Sequence, residues 1–153
     1  MPEVSETAPD FTLPRDGGGE IQLSALRPKP VALFFYPRDD TSGCTKEATG
    51  FTALRDAFDK AGVEVIGISK DSVASHDKFV KKHDLGIPLL SDEDSDVCER
   101  YGVWKEKKMY GKTFMGIERT TFLIDGEGRI ARVWRKVKVP GHAEEVLDAA
   151  RAL

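Results

Sequence analysis

The chain has 153 residues, 40% hydrophobic and 32% charged, with a formal net charge of −3 and two cysteines. That is an ordinary globular balance for one folding unit, which buries roughly 68–70% of its unfolded surface and needs neither metal nor disulfide to fold. The net charge gives no global reason to expect nucleic acid or an anionic membrane as a partner, and two cysteines make no disulfide framework.

The start, MPEVSETAPDF, has no basic region and no apolar run, and it does not read as a secretory signal. The longest apolar run, VALFFY, falls far short of the ~20 residues of a membrane helix. The end, DAARAL, carries no lipidation signal. A reducing, cytoplasmic setting is expected, in which a conspicuous cysteine is more often reactive than structural.

In chain order, DFTLPRDGGGEIQL predicts a hairpin around Asp16, Gly17, Gly18 and Gly19. VALFFY, residues 31–36, is apolar throughout, as a strand covered on both faces should be. From Cys44, apolar residues recur at Ala48, Phe51, Leu54, Phe58 and Ala61, which predicts one helix ending at Gly62. VEVIGIS, residues 63–69, is a second apolar strand. Ser72 then caps a helix running to about Asp84, with Val73, Phe79 and Val80 inward.

A short strand, PLLS, follows, and Ser95 is expected to cap a short helix carrying Val97, Cys98 and Tyr101. The lysine-rich stretch from Trp104 to Gly116 reads as irregular. TTFLID (120–125) and RIARVWR (129–135) flank a Gly126-Glu127-Gly128 turn, and a last helix runs from about His142 to Leu153. A strand–helix–strand crossover demands a parallel pair, and the late hairpin adds antiparallel strands. The expected layout is α/β: one thioredoxin-like domain over 1–153, with a mixed central sheet, helices on both faces and an N-terminal β-hairpin.

Cys44 is the conspicuous thiol. It follows a strand's carboxyl end, where ligands gather in open α/β sheets, and it opens a helix, where free N–H groups and the helix dipole favour an anion. The thiolate is the nucleophilic form, so the place favours reactivity. The plainer alternative is a small buried hydrophobe, but Ser42, Gly43, Thr45, Lys46 and Glu47 are poor company for a core.

Pro37, Thr41 and Cys44 fit P-x-x-x-T-x-x-C, the peroxidatic motif of the peroxiredoxins. APDFTLP, FFYPRDDTSGCTKEA, LLSDEDSDVCERYGVW and EKKMYGKTFMGIERTTFLIDGEGRI extend the resemblance over nearly the whole chain, towards the bacterioferritin comigratory protein or peroxiredoxin Q subfamily. The resemblance implies a thiol peroxidase acting on hydrogen peroxide and organic hydroperoxides. Cys44 resembles the peroxidatic cysteine that becomes a sulfenic acid. Thr41 resembles the threonine whose hydroxyl bonds the substrate oxygen, Pro37 the proline that shields the sulfur, and Arg119 the arginine that faces it. Glu47, one helical turn beyond the cysteine, is expected to hold Arg119. Without the resemblance, Pro37 simply ends a strand, Thr41 caps a helix and Arg119 is a surface residue.

The chain departs from its relatives twice. Ser42 stands where many have proline. The resolving thiol is missing from both familiar positions, which here are Thr49 and Val80. Cys98 is the only other thiol and reads as a half-buried hydrophobe. A one-cysteine type is therefore expected, resolved by thioredoxin, glutaredoxin or a small thiol, with Cys98 as the alternative resolving residue. The subfamily resemblance suggests a monomer without cofactor.

A redox sensor or chaperone-like protein using Cys44 as a switch is the second reading. Thr41 and Arg119 favour catalysis, because a switch needs no pair of donors. A dithiol oxidoreductase is disfavoured, since the helix start lacks C-x-x-C. Lys105, Lys107, Lys108 and Lys112, and later Arg132, Arg135, Lys136 and Lys138, read as solvated faces, with steering of an acidic reductase as a second role. His76, His83 and His142 show no metal spacing with the cysteines.

Overall fold

The computed structural model describes residues 2–153. Its centre is a five-stranded sheet in the order β5-β4-β3-β8-β9. These are β3 (Val31–Phe35), β4 (Glu64–Ser69), β5 (Leu89–Ser91), β8 (Thr120–Ile124) and β9 (Ile130–Trp134). β3 pairs parallel with β4, and β4 with β5, whereas β8 runs antiparallel to β3 and to β9. The sheet is therefore mixed, and the layout is thioredoxin-like.

Side chains alternate across this sheet because successive strand residues point to opposite faces. Val31, Leu33 and Phe35 enter one core, together with Ile66, Ile68, Leu90, Phe122 and Ile124. Ala32, Phe34 and Tyr36 enter the other, with Val65, Leu89 and Leu123. Gly67 occupies a place where a Cβ would come within 2.7 Å of the Phe34 ring and 2.8 Å of Leu89. No side chain fits there, so the strand keeps glycine.

The two faces are covered unequally. The Phe34 face carries α1 (Ser42–Ala53), α2 (Arg55–Lys60), α3 (Val73–His83) and α5 (His142–Arg151). The Phe35 face carries the N-terminal hairpin of β1 (Thr12–Pro14) and β2 (Glu20–Gln22), the short 3-10 helix Leu23–Leu26 and the short helix α4 (Val97–Arg100). The hairpin turns through three glycines at positive φ, Gly17 to Gly19.

Three expectations are corrected. The helix expected from Cys44 to Ala61 is two, broken at Leu54 (φ −98°, ψ 7°). Both halves keep their apolar residues on the same core, so the period alone cannot show the break. Ser95 does not cap α4. Asp96 is its N-cap residue, and the Asp92 carboxylate accepts from the Val97 and Cys98 N–H groups at 3.1 and 2.8 Å. The region from Trp104 is not irregular but a hairpin, β6 (Trp104–Met109) and β7 (Lys112–Ile117). Its turn residues, Tyr110 and Gly111, both have positive φ (53° and 76°), as tight hairpin turns require. Its strands are mostly exposed, so they lack the apolar alternation that reveals a strand.

Candidate active site

The chain leaves β3 at Tyr36, crosses Pro37–Asp40 and enters α1 with Thr41 as N-cap residue. Asp39 and Asp40 fasten that loop. The Asp39 N–H donates to Asp71 at 2.8 Å. The Asp39 carboxylate accepts from Tyr36 at 2.6 Å and Ser75 at 2.7 Å, and it lies 2.7 Å from His76 Nδ1. Asp40, at φ 57°, is paired with Lys82 at 2.7 Å and lies 2.8 Å from His83 Nε2. Aspartate tolerates this left-handed backbone better than most residues. The loop is thus held to α3 on two sides.

Cys44 is the third residue of α1 and is buried. Thr41 occupies the N-cap position, but its hydroxyl donates to the Arg38 carbonyl at 3.0 Å, so no side chain caps the helix. The first-turn N–H groups keep their donating capacity beside the sulfur. Thr41 is exposed at the mouth of the site.

Arg119 immediately precedes β8. The antiparallel register opposes Phe35 to Thr120, which sets Arg119 beside the carboxyl end of β3 where α1 begins. Its Nη2 donates to Cys44 Sγ at 3.3 Å, and its Nη1 meets Glu47 Oε1 at 2.7 Å. Burial works against the arginine's charge, but the Glu47 and Cys44 charges more than offset it and hold the guanidinium above its ordinary pKa. A cation therefore stays fixed against the sulfur. Burial pushes the Glu47 carboxyl up to about 7 despite the opposing pull of Arg119.

Pro37 is half-buried and lines a cleft of about 290 Å³ with Arg38, Lys70, Trp104, Lys107 and Phe114. The hairpin, expected to be irregular, thus forms one wall of the cleft beside the loop that leads into α1. Lys107 is held below its ordinary pKa by burial and by Arg119. Gly43 also escaped the sequence reading. A Cβ there would stand 3.1 Å from Arg119 Nη2, so a side chain at this position would press on the guanidinium.

Cys98 is buried in the opposite core, on the Phe35 face, whereas Cys44 belongs to the Phe34 face. Burial and the Asp92 carboxylate push the Cys98 thiol well up, so it stays protonated. Thr49 is exposed and Val80 half-buried. Among the described residues, no group of three or more His, Cys, Asp or Glu side chains is placed to hold a metal ion. No helix there is long and apolar enough to cross a membrane.

Residues 4–133 match the AhpC/TSA family. A putative peroxiredoxin bcp from Coxiella burnetii is 57% identical over 145 residues, which is 95% of this chain and 96% of that protein. A Xylella fastidiosa PrxQ mutant structure superposes with a TM-score of 0.94 at 40% identity, covering 99% of this chain and 97% of that one. The bacterioferritin comigratory protein of Xanthomonas campestris, a structure described for its alkyl peroxide reduction activity, superposes with a TM-score of 0.90 at 45% identity, again covering 99% and 97%.

Proposed function

The chain belongs to the AhpC/TSA family and is a thiol peroxidase, and from that premise we propose that Cys44 is its peroxidatic nucleophile and that an outside thiol completes the cycle. One observation carries this reading: Arg119 Nη2 lies 3.3 Å from Cys44 Sγ while Glu47 holds the other arm of the guanidinium.

The Cys44 thiolate attacks one peroxide oxygen. The S–O bond forms as the O–O bond breaks, and the departing oxygen leaves as alkoxide or hydroxide, which takes up a proton. Cys44 is left as a sulfenic acid. Arg119 stabilises first the thiolate and then the negative charge growing on the departing oxygen. Thr41, at the mouth, is the hydroxyl that turns to the substrate oxygen, and Pro37 screens the sulfur from water. Glu47 positions the arginine. Both hydrogen peroxide and organic hydroperoxides are substrates in this reading. The cleft beside Pro37 has Trp104, Phe114 and Met115 to receive an organic group.

The sulfenic acid waits for thioredoxin, glutaredoxin or a small thiol. Cys98 is disfavoured as the resolving residue because a disulfide needs Cα atoms within about 7 Å and Cβ vectors that converge. The two sulfurs instead enter opposite cores. The reading has the protein working as a monomer in the reducing cytoplasm, without a cofactor.

Cys44→Ser is expected to abolish peroxide consumption in an assay driven by dithiothreitol, while Cys98→Ser keeps most of it. Near-normal turnover by Cys44→Ser would contradict the assignment.

A further inference from the structure

We propose that one face of the β6–β7 hairpin docks a small acidic protein dithiol, which delivers the thiol that reduces oxidised Cys44; this rests on the external-thiol reading above. Four of the six large hydrophobic side chains that stand exposed among the described residues lie on this hairpin: Met109, Tyr110, Phe114 and Met115. Single exposed hydrophobics need no explanation, but a cluster beside an active site marks a contact surface.

The register sorts the hairpin into two unlike faces. Lys105 opposes Gly116, Lys107 opposes Phe114, and Met109 opposes Lys112. Opposed residues share a face and alternate residues along a strand share it too. One face therefore carries Lys105, Lys107, Lys112, Met109 and Phe114. The other carries Trp104 and Ile117, which pack against the core, then Glu106, Met115, Lys108 and Thr113. Glu106 is the only acidic residue between Trp104 and Ile117, and it lies on this second face. The first face is thus apolar at Met109 and Phe114 and basic around them, with Glu118 beside Lys107 only at its base, away from the tip.

These lysines have no partner within the chain. The lysines that form ion pairs are Lys29, Lys70 and Lys82; Lys105, Lys107 and Lys112 enter none among the described residues. An acidic surface with an apolar centre complements such a face. The face is also continuous with the site, because Lys107 and Phe114 line the cleft with Pro37 and Arg38. A partner seated on the hairpin has its sulfur beside that opening. A small thiol needs only the cleft. The face extends past it to Met109 and Lys112 at the hairpin tip, which suits a protein.

The exchange balances without a further oxidant. One partner thiolate attacks the sulfenic sulfur, forms a mixed disulfide and expels hydroxide, which leaves as water once protonated. The partner's second thiolate attacks its own bridged sulfur, closes the partner disulfide and releases the Cys44 thiolate.

The test measures turnover with saturating peroxide and thioredoxin as the acidic dithiol. The double variant Lys105→Glu/Lys112→Glu and the single variant Met109→Ser are compared with wild type, and Lys108→Glu serves as the opposite-face control. KM for thioredoxin is expected to rise roughly tenfold or more in the double variant, since opposing charges steer encounter. Met109→Ser should raise it to a lesser degree, and Lys108→Glu least. Turnover with dithiothreitol and the rate of Cys44 oxidation should match wild type in all three. An unchanged thioredoxin KM in the double variant overturns the docking face alone. A wild-type dimer that the double variant converts to a monomer gives the face to a second copy of the chain and overturns it too. Wild-type turnover with dithiothreitol but with neither thioredoxin nor glutaredoxin overturns the protein-reductant reading itself.

Discussion

Glu47 and Arg119 meet at 2.7 Å, yet the second carboxylate oxygen of Glu47 is buried without a hydrogen-bond partner. One oxygen holds the guanidinium that reaches Cys44; the other is buried and makes no hydrogen bond to another protein group. A site that leaves a carboxylate half-satisfied has spent stability on placing a charge.

Removing that placed charge gives the first prediction. Arg119→Met keeps the length and apolar stem of the side chain but loses the donor to Cys44 Sγ. Loss of one such donor typically costs ~2.7–4 kcal/mol of barrier, so oxidation of Cys44 by peroxide should slow by roughly 10²–10³-fold. Stopped-flow oxidation checks this, and an unchanged rate would mean that the contact does not serve the chemistry.

Glu47 also sets a pH dependence. Burial raises its carboxyl from an ordinary 4.5 to about 7, so between those values the folded state holds a proton that the unfolded state has lost. Stability falls wherever the folded state binds more protons and pH rises. Glu47 should therefore lower stability progressively from about pH 4.5 to 7, by on the order of 1–3 kcal/mol. Urea unfolding of Glu47→Gln across this range should lack that component of the slope. Parallel curves for wild type and variant would contradict it.

The loop between β3 and α1 carries the same sign through a different cause. His76 Nδ1 lies 2.7 Å from the Asp39 carboxylate and Nε2 lies 2.9 Å from the Leu90 carbonyl, so both ring nitrogens face acceptors. Burial opposes the imidazolium, but Asp39 more than offsets it and the pKa rises above 6.5. Stability from this pair is full below about pH 6.5 and is lost as pH rises through the raised folded value. His76→Gln breaks a buried pair and should cost about 3–5 kcal/mol near pH 6. The deficit should be smaller at pH 9 than near pH 6, because wild type loses the charge as pH rises through the raised folded value. A deficit equal at both pH values would mean that packing, not the ion pair, holds the loop.

Much of the fold and the site's centre was legible in the sequence. The continuous apolar runs of β3 and β4 mark strands covered on both faces, and Cys44 stands where the first hands over to a helix. Other elements were hidden for identifiable reasons. β6 and β7 bury too little apolar surface to show a period, and only the Tyr110–Gly111 turn hints at them. Asp39 and His76 are 37 positions apart, and no local pattern couples two such residues. Arg119 was reached through resemblance alone. Its nearness to Cys44 comes from the β3–β8 register, which no residue of the TTFLID strand announces. The closeness of Gly43 to the Arg119 guanidinium likewise appears only in the structure.

The central claim is that Cys44 alone reacts and that its product waits for an outside thiol. The direct test adds one equivalent of peroxide without reductant, in the presence of a sulfenic-acid trap, and reads the intact protein and its peptides by mass spectrometry. The expected result is one trapped adduct on Cys44 and a free thiol at Cys98. A monomer that has lost two hydrogens and yields a Cys44–Cys98 crosslinked peptide would contradict the claim and make Cys98 the resolving cysteine.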